Sequence, residues 1–321
     1  MRNPSRSPRL SSLLVVAMLA MIVLPAALTL HTVHLSALKP ATATNPYSSP
    51  YGYTVSTLLF VVPILVIALW FVPSEGVRIE KKSFWCTIAL LFPIGAALDF
   101  FFARYFFVFP NAGATLGVKA PALGDPVPIE EYAFYLTGFL CILLIYIWFD
   151  QYWLAAYNIH GEAVERRQFQ RLLKLHPESI LLAVILIAGA ILYKRHLSNE
   201  PVGFPGYFIF LSLTALVPSS ALLPSARPVI NWRAFSFAAF FILLISLLWE
   251  VTLAIPYGWW NFRSEQMLGI RITAWGALPI EEVCLWIAVT YATVLVYETI
   301  KCWQSSGKPL RHALFGEPSS T

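Results

Sequence analysis

The sequence predicts an all-α protein: a polytopic membrane helical bundle of about eight spans, built from two parallel four-helix repeats. Three observations lead there. Hydrophobic residues make up 58% and charged residues 12% of the 321 positions, with a mean hydropathy of +0.68; soluble domains run at about 45–50% apolar and about 25% charged. Long apolar runs, most of them near the roughly 20 residues a bilayer requires, alternate with short polar stretches. Finally, an acidic pattern occurs twice. Pro128-Ile129-Glu130-Glu131 follows Asp99 at the same distance, 29 positions, at which Pro279-Ile280-Glu281-Glu282 follows Glu250, and a single offset of 151 residues relates the two sets.

The spans are expected at about Ser12–Leu30, Val55–Val72, Phe84–Arg104, Pro128–Phe149, Ser179–Tyr193, Phe204–Leu222, Phe235–Ile255 and Pro279–Ile300. The first follows Arg2, Arg6 and Arg9 like a signal peptide, but no small-x-small cleavage site succeeds it, so an uncleaved span is expected. Interior Pro63 and Pro93 predict kinks in the second and third. Pro128 and Pro279 suit a first helical turn, where a missing N–H is harmless. The fifth span is short and is expected to begin nearer His176, and the sixth falls on Tyr53–Phe71 under the common offset. Four spans per half is an even number, so both halves enter from the same side and an axis along the membrane normal relates them. The expected organisation is therefore a first repeat over 1–149, a charged cytoplasmic linker over 150–177, a second repeat over 178–303 and a disordered tail over 304–321.

Lys and Arg set the direction. With the N-terminus in the cytoplasm, cytoplasmic segments hold 15 of them and the opposite side 7, a bias that predicts an integral, multi-pass protein with both termini cytoplasmic. The net charge of +5 is explained by that topology and points to no nucleic acid. Cys86, Cys141, Cys284 and Cys302 are scattered without CxxC or Cys/His spacing, so no disulfide framework or zinc site is indicated. No GxGxxG, Walker A or GxSxG motif occurs. No metal and no cofactor are expected, and membrane lipid is the surrounding partner.

Carboxylates are costly in a membrane, about 2.5–3.5 kcal/mol each at a helix centre, so Asp99, Glu130, Glu131, Glu250, Glu281 and Glu282 read as a site. Adjacent helical residues point about 100° apart, so within each Glu-Glu pair one can face substrate while its neighbour is held by other groups. Acids converging in an apolar site cannot all stay ionised, so at least one should keep a proton and serve as a general acid. The plain alternative is that each Glu caps its helix or pairs with Arg104, Arg263 or Arg271. Aromatic residues crowd the same ends: Tyr105 and Phe109 in one half, Trp249, Trp259, Trp260 and Phe262 in the other. An interfacial belt accounts for many such residues; beside a protonated acid they can instead form a cage whose ring faces stabilise a cation, worth about 2 kcal/mol or more per desolvated contact.

The residues Trp249-Glu250, Gly258-Trp259-Trp260-Asn261-Phe262, Leu268-Gly269 and Leu278-Pro279-Ile280-Glu281-Glu282 resemble the membrane-embedded, non-flavin lycopene cyclase domain, whose members carry two Pro-x-Glu-Glu-x-x-Phe motifs. The copy from Pro128 to Phe134 fits fully, whereas the second ends in Leu285, and the family's upstream Trp-Asp is Leu98-Asp99 here and Trp249-Glu250 there. The likeness covers about residues 55–150 and 204–303. It implies a carotenoid end-group cyclase, an intramolecular lyase or isomerase. Its substrate would be a linear carotene such as lycopene, closed to an ionone ring without net redox change, with other carotenoid enzymes as possible partners. On this expectation Glu130 and Glu281 are the main acid and base, supported by Glu131, Glu282, Asp99 and Glu250. A carotenoid hydratase would let water capture the same cation. A membrane prenyltransferase would use acids to hold Mg²⁺ and diphosphate, and a transporter would place them at mid-span; contiguous Glu-Glu behind proline at a helix end suits both poorly.

Overall fold

Residues 50–74, 76–157 and 171–316 are described by the computed structural model. The expected first span, the outer stretch before Pro50, the middle of the linker and the last five residues lie outside the described residues. Seven helices are long and apolar enough to cross a membrane: α1 (Gly52–Ser74), α2 (Lys81–Phe106), α3 (Ile129–Trp153), α4 (Pro177–His196), α5 (Gly206–Ala226), α6 (Trp232–Ala254) and α7 (Ile280–Ser306). They coincide with the second to eighth expected spans, and α4 begins directly after His176.

Helices α3 and α7 form the centre. In their most apolar stretches 56% and 67% of residues are buried, against 17% in α1, α4 and α5, so the latter three turn most of their surface outward. The run Cys141–Ile147 of α3 is buried on every side, as a helix surrounded by others must be. Helix α3 packs on α1, α2, α6 and α7; helix α7 packs also on α2, α5 and α6, and α4 lies against α5. Pro63 and Pro93 both sit inside continuous helices; α1 responds with a wide π-turn at Ile67–Phe71, one turn beyond Pro63. Two further π-turns end α3 (Phe149–Trp153) and α6 (Glu250–Ala254).

Six two-residue strands close the end of the bundle that carries the acids: β1 (Phe107–Val108), β2 (Lys119–Ala120), β3 (Val127–Pro128), β4 (Asn261–Phe262), β5 (Arg271–Ile272) and β6 (Leu278–Pro279). β2 pairs with β3, and β5 with β6, both antiparallel. Pro128 and Pro279 therefore stand as extended caps just before α3 and α7 (ψ 143° and 140°) rather than in the first turn. Their rings need no donor in the strand, and Ile129 N–H and Ile280 N–H then bond back to Val118 O and Ile270 O, at 2.9 and 3.0 Å. β1 pairs with β4 across the two halves, Phe107 opposite Phe262 and Val108 opposite Asn261.

The expected segment boundaries shift in two places. The linker was expected from residue 150, but α3 continues through Trp153 because Asp150 is buried, accepting from Asn231 Nδ2 at 2.9 Å. The tail was expected to be disordered from 304; instead α7 runs to Ser306 and a short helix α8 (Leu310–Phe315) follows. Ala313 of α8 is buried beside Leu172, whose N–H donates to Ala313 O at 2.8 Å, so a hydrophobic contact and two backbone bonds hold it in place.

Candidate active site

All six acids are buried, none more than 8% exposed, but they divide into two kinds. Glu130 and Glu281, the second residues of α3 and α7, turn to the loops. Glu130 Oε1 accepts from Leu116 N at 2.7 Å and Thr54 Oγ1 at 2.6 Å. Glu281 Oε1 accepts from Leu268 N at 2.5 Å. Each carboxylate thus anchors the Leu-Gly step of its own half. Gly117 (φ 76°) and Gly269 (φ 91°) follow in the left-handed region, which a side chain enters at a cost of about 1–2 kcal/mol. The expected main acids are, in this geometry, the ones that tie down the loops; the pairing with Arg104, Arg263 or Arg271 is made by none of the six among the described residues.

One residue further along each helix, about 100° round, Glu131 and Glu282 point inward. Glu131 Oε1 accepts from Tyr53 OH of α1 at 2.5 Å. Beside it, Asp99 of α2 accepts from Tyr135 OH at 3.2 Å. The second half resembles this arrangement: Tyr207 of α5 lines the same cavity as Glu282, and Glu250 of α6 accepts from Trp286 Nε1 at 2.9 Å. Glu250 and Glu282 line one buried cavity together, and carboxyl groups crowded there cannot all stay ionised. Among the described residues, Asp99 Oδ2, Glu250 Oε2 and Glu282 Oε1 are buried with no protein partner, as are Glu130 Oε2 and Glu281 Oε2, so every one of these acids but Glu131 keeps spare acceptor capacity.

Glu131, Glu250 and Glu282 line one narrow cavity of about 40 Å³ with Tyr53, Phe107, Phe109, Phe134, Tyr135, Tyr207, Trp249, Trp260 and Leu285. That is room for a few water-sized groups. Its walls are ring on ring: Tyr53–Trp260 at 5.2 Å, Trp249–Trp260 at 4.8 Å and Phe134–Trp249 at 5.3 Å between centroids. Trp249 Nε1 donates to Ser56 Oγ at 2.7 Å and so fixes α6 against α1. Of the expected aromatic residues, Phe109, Trp249 and Trp260 line the cavity. Trp259 is buried behind it, stacked on Tyr53 at 6.0 Å. Phe262 lies in β4 against Phe107 at 6.0 Å. Tyr105 belongs elsewhere: it is exposed and held by Arg104, whose guanidinium lies 4.6 Å from the ring. Tyr105 lies in the last turn of α2, whereas the residue that lines the cavity, Phe107, already belongs to β1.

Four residues of the constellation were not among those expected: Tyr53, Tyr135, Tyr207 and Trp286. Two carried a signal. Tyr135 and Trp286 each lie four positions after the inner glutamate, one helical turn away on the same face. Tyr53 and Tyr207 had only a weak one, since their separation departs from the common offset by three residues.

Beyond the cavity lies a larger pocket of about 310 Å³, whose walls include Arg104, Asn111, Lys119, Asp125 and Arg263 along with Phe107 and Phe109. In the other half the corresponding loop is closed by the turn between α4 and α5, where Glu200 accepts from Arg271 Nε at 2.8 Å and Nη2 at 3.2 Å. The Arg271 bonds hold the Glu200 carboxyl below its ordinary range. No family model, no curated protein and no solved structure matches the chain.

Proposed function

We propose that the chain is a membrane-embedded carotenoid end-group cyclase that protonates a linear carotene and closes an ionone ring. The observation that carries this reading is the convergence of Glu131, Glu250 and Glu282 on one cavity walled by aromatic rings. A buried acid beside π-faces suits the protonation of an alkene and the shielding of the carbocation that results. The doubled Pro-Ile-Glu-Glu motif and its likeness to the non-flavin cyclase domain narrow the alkene to a carotene terminus.

In the proposed reaction the Glu250–Glu282 pair delivers its proton to the terminal double bond. The internal alkene attacks the tertiary cation, forming one C–C bond and moving the charge into the ring. Glu131, held by Tyr53, takes up the proton released as the ring double bond forms. Atoms balance without oxidant or cofactor. The cavity is small, so admission of a carotene end requires its aromatic walls to part.

We further propose that two parallel four-helix repeats make up the chain, with an eighth span before α1 and both termini in the cytoplasm. The matched bonds of Glu130 and Glu281 to the Leu-Gly steps support the repeat; a topology reporter fused to the C-terminus checks the orientation, and activity of an externally active reporter would reverse it.

Expression in a lycopene-accumulating bacterium, followed by pigment chromatography, tests the assignment. Wild-type protein should convert lycopene to a product of unchanged mass, and Glu131→Gln and Glu282→Gln should each lose about 10²-fold or more of that activity, the usual share of a general acid or base. Lycopene left untouched by well-expressed wild-type protein would defeat the reading.

A further inference from the structure

We propose that Phe107 and Phe109 are the water barrier between the polar outer pocket and the acid cavity, and that they decide whether the cation formed there ends as a ring or as an alcohol. The second clause rests on the cyclase reading; the first does not.

The two cavities are separate, yet both are lined by Phe107 and Phe109 and by no other residue in common. On one side stand two arginines, a lysine, an aspartate and an asparagine, groups that hold water. On the other stand three carboxyl groups and a set of rings. The two phenylalanines are therefore the wall shared by a wet space and one whose chemistry depends on being dry. Their footings differ. Phe107 is held by β1–β4 pairing and by edge contacts to Tyr207 at 5.3 Å and Phe262 at 6.0 Å. It thus leans on Tyr207, which lines the acid cavity with Glu282. Phe109 follows the strand and packs both on the small cluster of Ala103, Ala120 and Val127 and on the main core that holds Tyr53 and Trp260, with no strand pairing of its own among the described residues.

A tertiary cation next to water is captured by it: the water oxygen bonds to the cationic carbon, and the oxonium passes its extra proton to a neighbouring carboxylate. The product is then the substrate plus one water. With the partition intact no water competes with the substrate's own alkene for the cation, and the ring closes.

Two measurements separate the parts of this proposal. In protein whose four native cysteines are replaced, a cysteine is placed at Leu285, on the cavity wall, and its reaction with a water-soluble methanethiosulfonate is timed. Phe109→Ala should speed the reaction about tenfold or more, equivalent to about 1.4 kcal/mol off the access barrier, while Phe109→Leu should stay near the parent rate; equal rates in all three would overturn the barrier. In lycopene-accumulating cells, Phe109→Ala should yield a product heavier by one water at the expense of the ring product. An unchanged ring product would overturn the role in product choice, while lycopene untouched by the wild type would instead overturn the cyclase reading and leave the labelling result standing. A hydroxylated product from the wild type itself would show that the partition does not keep water out, and would also overturn the proposal.

Discussion

Each Glu-Glu pair divides its labour by helix geometry. The first glutamate bonds the loop backbone, and the second enters the cavity. That the pair must split was legible in the sequence, because neighbours on a helix diverge by about 100°; which member goes inward was not. It depends on where the Leu-Gly step lands, and that follows from strand pairs too short to carry a pattern. The same geometry predicts different consequences for the two positions. Glu130→Ala leaves Leu116 N–H and Thr54 Oγ1 without their acceptor, which should cost about 1–3 kcal/mol. It should lower the thermal midpoint in detergent, while residual folded protein keeps its turnover. A loss of turnover with unchanged stability would place Glu130 in the chemistry after all.

At the scale of elements, the seven apolar helices were readable from hydropathy, and the acids marked which helix ends meet. The strands were not readable, since two-residue segments offer no alternation to detect. The passage of α1 and α2 through interior Pro63 and Pro93 was readable from the span lengths; the wide π-turn one turn beyond Pro63 was not. Leu116-Gly117 was legible as a match to Leu268-Gly269, and the reason is now physical. Gly117 needs φ near 76° but has open space around it, so Gly117→Ala tests conformation alone. It should destabilise the protein by about 1–2 kcal/mol, read as a lower thermal midpoint. An unchanged midpoint would show that the left-handed turn is dispensable to the Glu130 anchor.

Across the whole molecule, the two halves of the sequence carry matching acids but finish their loops differently. The Glu200–Arg271 ion pair closes the loop of the second, and its sign with pH is fixed. Because Arg271 keeps the Glu200 carboxyl below its ordinary range, its contribution is present above about pH 4.3, the unfolded value, and disappears as pH falls through the lower folded value. Both side chains are partly exposed, 24% and 34%, so the effect is of surface size, about 0.2–1 kcal/mol. Glu200→Gln should melt slightly below wild type at pH 6, and the gap should close toward pH 3; a gap that persists would assign the difference to packing instead of charge. The β1–β4 pair joins the halves another way. Phe107 faces Phe262 and Val108 faces Asn261, so the leading residue of each strand meets the trailing residue of the other. The seam ties the loop after α2 to the loop after α6, so loosening either strand should free the other's loop as well.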